Sequence, residues 1–344
     1  MTPLSFSSSP AFRKFALLSV ALCFNPLAFA ADLQLAITAF NEPNYSKAKP
    51  LFEVAAKDTA TKNDALYYLS RIAIQEGDAD KAKGYLDQSV DLEPNSSDEY
   101  YWLGFAYGEL AKQDSTSIFK RASYASNSHK YLQLSIDVNP KNIEAHRGLF
   151  WFYIGAPSIV GGGIDKTEKK LLDIRALSPL DADILQLSLY QGKGERDKQL
   201  AQAQFLIATY PNSAEALSVA AHTFRNQQKL DSAITGFELA SKLPVTPQNR
   251  MFVETSIFQF GETCQWASVR TEDAIASVEK YIAIKTEVKN TELNWPRWTL
   301  AKLYYQKGDM EKFQSLRKQL DPAFIKQNQW MKDDIEKFDK QDKK

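Results

Sequence analysis

The chain has 344 residues, 44% of them hydrophobic and 24% charged, which suits a globular protein of one large or two medium domains. Lys plus Arg balances Asp plus Glu at 42 each, so no global field draws the protein onto nucleic acid or an anionic membrane.

The predicted elements begin with a leader over residues 1–30. Arg13 and Lys14 supply positive charge, and "FALLSVALCF" (15–24) is an apolar core too short to span a bilayer. Ala28-Phe29-Ala30 forms a cleavage site, predicting a mature chain that starts at Ala31. The competing reading is an uncleaved anchor. Leu22 before Cys23 argues against a lipoprotein signal, and the apolar character argues against a transit peptide. Cleavage leaves Cys264 without a disulfide partner, so it is expected to act as a small buried hydrophobe. No later apolar run reaches spanning length. The longest covers residues 148–160.

Proline then punctuates the chain. Pro94, Pro140, Pro179, Pro211 and Pro244 are spaced by 46, 39, 32 and 33 residues. Four of them sit in "LEPNSS", "VNPKN", "LSPLD" and "YPNS", where one helix ends and a polar residue is placed to cap the next. Between these points small and large residues recur: Leu66, Leu69, Ser70, Ala73, Gly77, Ala82 and Leu86, then Tyr100, Leu103, Gly104 and Tyr107. Ala220, Ala221, Phe224, Ala233, Phe237 and Ala240 follow, then Leu300, Ala301, Tyr304 and Gly308. A weaker copy opens at Leu35-Ala36, with Ala48, Phe52 and Ala55. Small residues admit close helix approach, and large ones fill the space to the next unit.

These segments resemble tetratricopeptide repeats. The resemblance covers nearly all of 32–322 and is weak at 182–211 and 250–285. It implies an all-α, right-handed superhelical solenoid of antiparallel helix pairs, about seven to eight repeats over 31–322. Residues 108–127 depart from the pattern as an expected insertion of about twelve residues between the helices of the third repeat. Residues 323–344 are expected to form a capping helix, packed through Phe324, Trp330, Met331 and Ile335, and a charged tail.

The stretch "APSIVGGGIDKT" (156–167) has the look of a phosphate loop. However, Asp165 precedes Lys166, and Val160 stands where the upstream glycine is needed. A local reading is preferred, in which Pro157 ends one helix, the glycines turn the chain, and Asp165 caps the next helix. The chain looks like exported bacterial repeat proteins that carry an AP-x-I-x-GGG loop, a likeness that implies no activity. A partner-binding role for Ile159 and Val160 is the competing reading. Gly192 and Gly194 lack a third glycine and read as a helix-joining turn.

The three histidines, His129, His146 and His222, have no ligand spacing, and nucleophile-elbow and zinc-protease motifs are absent. No catalytic residue, metal or cofactor is assigned. In the repeat family the first helix of each pair lines a concave groove. The residues facing it here are expected to be Tyr67, Arg71, Tyr101, Phe105, Arg147, Trp151, His222, Arg225, Trp298 and Tyr305, rich in the aromatic and Arg types that anchor protein interfaces. The expectation is a non-catalytic, exported scaffold for a protein or peptide, periplasmic or else secreted, serving envelope assembly or transport. Two alternatives stand beside it: a membrane-edge protein docking through 148–160, and an enzyme with an unrecognised site in the groove.

Overall fold

The computed structural model describes residues 26–42, 44–285 and 290–342. Most of the predicted leader, residues 1–25, lies outside them. Eighteen α-helices and no strand occur among the described residues. Sixteen of them form eight consecutive pairs: α1 (Pro26–Asn41) with α2 (Tyr45–Ala55), α3 (Lys62–Gln75) with α4 (Ala79–Leu92), α5 (Ser97–Lys112) with α6 (Ile118–Val138), α7 (Ile143–Gly155) with α8 (Ile164–Leu177), α9 (Pro179–Gly192) with α10 (Arg196–Thr209), α11 (Ala214–Asn226) with α12 (Leu230–Ser241), α13 (Arg250–Ala267) with α14 (Thr271–Ile284), and α15 (Asn294–Lys307) with α16 (Met310–Lys318). Two more, α17 (Pro322–Gln327) and α18 (Gln329–Asp342), follow the last pair. The weakly patterned stretches 182–211 and 250–285 are helix pairs like the rest.

The local signals act as the residue types require. Ser96, Asn142 and Ser213 accept hydrogen bonds from the amides of Glu99, Ala145 and Ala216, capping α5, α7 and α11. At "LSPLD" the cap is Ser178, before the proline, with Pro179 in the first helical turn. Gly77 and Gly308 turn the chain with φ of 78° and 86°, in the left-handed region that glycine occupies without strain.

Small residues sit where helices cross. A Cβ on Gly104 of α5 meets Leu132 Cγ at 2.9 Å, Leu132 N at 3.0 Å and Ser128 O at 3.1 Å, all on α6. Ala82, Ala233 and Cys264 are fully buried, the last as the small hydrophobe its isolation predicts, and burial pushes its thiol up to about 11. Successive pairs share their apolar faces. One core cluster runs from Ile184 to Tyr304, across α9 to α15.

The expected insertion at 108–127 is mostly helix. α5 runs on to Lys112, α6 begins at Ile118, and α6 extends for 21 residues. Its first turn stands clear of the neighbouring pairs, leaving Ile118 77% and Phe119 86% exposed.

Candidate functional site: the inner face of the solenoid

First helices of adjacent pairs touch along one side of the molecule: α3 with α5, α5 with α7, α9 with α11, α11 with α13, and α13 with α15. Side chains on that side bridge several helices. Arg147 on α7 donates to Asp181 of α9 at 2.6 Å and to Glu215 of α11 at 3.0 Å. Arg225 on α11 donates to Glu262 of α13 at 2.9 Å and to Gln259, and lies over the rings of Trp266 and Phe237. His222 Nδ1 accepts from Arg225 at 3.2 Å, and its ring meets Phe237 edge-on at 4.8 Å. Burial first, then the Arg225 charge, holds His222 down to about 4. Burial raises Glu144 and Glu262 above the usual carboxylate range, against the pull of Arg147 and Arg225 respectively.

The N-terminal third of this face is aromatic. Tyr67 and Tyr101 are partly buried, and Tyr101 packs against Trp102 at 5.1 Å and Phe105 at 6.4 Å. Burial and then the nearby Glu144 push the Tyr101 phenol up, while Arg147 and Arg71 oppose that shift. Tyr101 therefore belongs to a ring stack. It is not the loosely held groove side chain that its helical position alone suggests. Trp151 is 51% exposed. Beyond α1, the first pair approaches the segment before α13, where Phe40, Asn41, Tyr45, Pro247 and Gln248 line a cleft of about 420 Å³.

At the far end the expectation needs correction. Trp298 is 0% exposed. Its Nε1 donates to Asp334 of α18 at 2.6 Å, and Lys302 donates to the same carboxylate at 2.8 Å. Phe338 of α18 packs on Trp298 at 5.2 Å and on Tyr305 at 4.9 Å. α18 thus covers the last pair, and Trp298 and Tyr305 serve that packing. Met331 is buried and Ile335 joins the same cluster, whereas Trp330, expected in the cap, is 83% exposed.

The glycine loop is a hinge. Gly161 and Gly163 take φ of 104° and 147°, and a Cβ on Gly162 would lie 1.8 Å from Ala156 O. Lys166 Nζ donates to Gly161 O at 2.8 Å, and Thr167 Oγ1 to Gly163 O at 2.9 Å, so the Lys-Thr pair is spent on the loop itself. The N-cap of α8 is Gly163, with no side-chain bond, and Asp165 lies inside the first turn, which corrects the expected Asp165 cap. Of the 148–160 run, Leu149 and Phe150 are buried, while Ile159 is 92% exposed.

Sequence position missed Phe40, Trp102, Glu144, Asp181, Glu215 and Glu262. A signal for part of this set existed. Arg147 and Asp181 are 34 residues apart, Arg147 and Glu215 are 68 apart, and Arg225 and Gln259 are 34 apart, so partners recur at one repeat length. No group of three or more His, Cys, Asp or Glu placed to hold a metal ion occurs among the described residues, and none of their helices is long and apolar enough to cross a membrane.

The class defined by this geometry is a helical-repeat solenoid with a side-chain-lined inner face. No family model and no curated protein matches the sequence. Solved structures do match in fold. Yeast Tom70 superposes with a TM-score of 0.62 at 14% identity, over 84% of this chain and 59% of its own, so the chain spans well under two thirds of that protein. A thermophilic tetratricopeptide-repeat protein of Thermus thermophilus gives 0.49 at 24% identity, over 57% of this chain and 99% of its own. One from Parabacteroides merdae gives 0.48 at 14% identity, over 80% and 99%. The superposition on Tom70 and the eight consecutive helix pairs together give the fold as an all-α helical-repeat solenoid.

Proposed function

We propose that the protein is a non-catalytic scaffold that holds a protein or peptide against the inner face of its solenoid. The observation that carries this reading is the alignment of Tyr67, Arg71, Tyr101, Phe105 and Arg147 along successive first helices, α3, α5 and α7. These types combine apolar area with directional donors, which is the usual make-up of interface anchors. Glu262 owes its shift first to burial, beside Arg225 with which it is ion-paired, and His222 to burial and the same Arg225 charge, an arrangement typical of structural ion pairing. Within the 148–160 run Leu149 and Phe150 are committed to the core, while Trp151 and Ile159 stand exposed.

We further propose export. Cleavage after Ala30 starts the mature chain at Ala31 and keeps Ala36, Ala39 and Phe40, the buried residues of α1. The destination we propose is the periplasm, with secretion as the alternative, and a role in envelope assembly or transport.

The test is capture of partners from the envelope fraction of the native cell by the tagged protein, with Phe105→Asp alongside. Partners retained by the parent and lost by the variant support the scaffold. Identical capture by both removes the inner face from the function. N-terminal sequencing of the isolated protein should give Ala-Asp-Leu-Gln, and a chain retaining Met1 overturns the export reading.

A further inference from the structure

Three arginines reach the inner face from first helices, and two of them have carboxylate partners. Arg147 is paired with Asp181 and Glu215, and Arg225 with Glu262. Arg71, on α3, has none among the described residues. Its guanidinium carbon lies 4.7 Å from the Phe40 ring centroid, 5.1 Å from Trp102, 5.6 Å from Tyr67 and 6.0 Å from Tyr68. These rings come from α1, α3 and α5, so Arg71 sits across three first helices as Arg147 does. Its Nε is buried and makes no hydrogen bond, and no acceptor pairs with the guanidinium among the described residues.

A guanidinium boxed by rings gains cation–π attraction but loses water. Donors left unsatisfied in a partly dry site carry a standing cost, which an incoming anion removes. The rings also hold the planar fork in place, so less freedom is lost when a carboxylate docks on it. The chemistry beside Arg71 defines the rest of the ligand. Trp102, Tyr101 and Phe105 form a continuous aromatic wall, with Trp102 and Phe105 5.6 Å apart. One stretch further on, Glu144, Asp181 and Glu215 surround the single cation Arg147, a surplus of negative charge that disfavours a second acidic residue there.

We propose that the cage formed by Arg71, Phe40, Tyr67 and Trp102 is a recognition subsite for an internal Asp or Glu side chain of a partner peptide, whose neighbouring aromatic or aliphatic residue lies on Tyr101 and Phe105. This rests on the scaffold reading above and names the chemistry of its ligand. The acid enters at the N-terminal end of the inner face, and the peptide continues toward Arg147 with neutral or basic residues.

The experiment pans a random-peptide display library on the purified protein. Selected sequences are then made as amidated peptides in Glu and Gln versions, with affinity measured by fluorescence anisotropy. We expect an acid beside an aromatic or aliphatic residue to recur, with the Glu version binding about tenfold tighter than the Gln version, as a charge-assisted hydrogen bond provides. Arg71→Gln should bind the two versions alike, while Arg147→Gln keeps the preference. Arg71→Lys should retain it in part, and circular dichroism should report both Arg71 variants folded. Selected peptides without acidic enrichment overturn the subsite and leave the scaffold standing. So does a Glu preference that survives Arg71→Gln, or one for a free C-terminal carboxylate instead of the side chain. Failure to select any peptide overturns the subsite, and binding indifferent to Phe105→Asp overturns the scaffold reading and the subsite with it.

Discussion

Leu132 on α6 is held between two glycines, and they should respond differently to the same substitution. A Cβ at Gly104, on the paired helix α5, would stand 3.0 Å from Leu132 N and 3.1 Å from Ser128 O, as well as 2.9 Å from Leu132 Cγ. Two of these three neighbours are backbone, so relief requires α6 to move away from α5 as a unit. A Cβ at Gly148, on the next first helix α7, would meet only the side chain of Leu132, at 2.7 Å from Cδ2 and 3.3 Å from Cδ1. Those methyl groups move aside by rotation.

Both positions are helical, so Ala gains roughly 0.5–1 kcal/mol of intrinsic preference over Gly at each. Overpacking against backbone costs about 1–3 kcal/mol and reverses that gain at Gly104. At Gly148 the two effects are comparable. Gly104→Ala should therefore lower the urea midpoint clearly, and Gly104→Leu further, while Gly148→Ala stays within about 1 kcal/mol of the parent. Trimming the clamp with Leu132→Ala should only partly rescue Gly104→Ala, since the two backbone contacts persist. Midpoints are the quantity to compare, because arrays of repeats can unfold in stages. A Gly148→Ala loss exceeding that of Gly104→Ala would refute the packing argument.

Other perturbations separate the inner face from the ends. His222 is held near 4 in the fold against an ordinary 6.5, so its contribution is complete above pH 6.5 and is lost as pH falls from 6.5 toward 4. After allowance for screening it is on the order of 1–3 kcal/mol. Glu262, raised by burial, drifts in the opposite sense, so the check is the difference in urea midpoint between the parent and His222→Asn, which should shrink across that window. Removing residues 329–344 should expose Trp298 and red-shift its fluorescence, and should cost roughly 3–5 kcal/mol from the lost burial around Met331 and Phe338. An unchanged spectrum would mean that α18 does not cover the last pair. Tyr101→Ala should cost about 1–2 kcal/mol in a urea melt, because the ring stacks on Trp102 and Phe105. A fully neutral result would mean that the stack contributes nothing to the free protein.

The parts of this molecule that sequence made legible are those determined within one helix pair. Gly77 and Gly308 end helices because only a left-handed residue fits there, and Ser96, Asn142 and Ser213 cap because their oxygens reach an amide three residues on. Both signals are complete within a few residues. The errors lie where the deciding contact is distant. Trp298 occupies a position that faces the groove in a middle repeat, and nothing near it in the chain tells that α18, some thirty residues later, closes over it. Asp165 is a good capping residue by type, yet the tight path through Gly162 starts α8 early enough to place it inside the first turn. The inner face falls between these cases. Helical position proposes its members, but not their pairing, because Arg147 reaches Asp181 and Glu215 one and two repeats away. The repeat length itself is the tool that recovers such partners. Polar partners one or two repeat lengths on from Arg147, and close to one repeat length on from Arg225, lie on one side of neighbouring first helices, and Arg71, with Phe105 one repeat length on, meets rings there in place of a carboxylate.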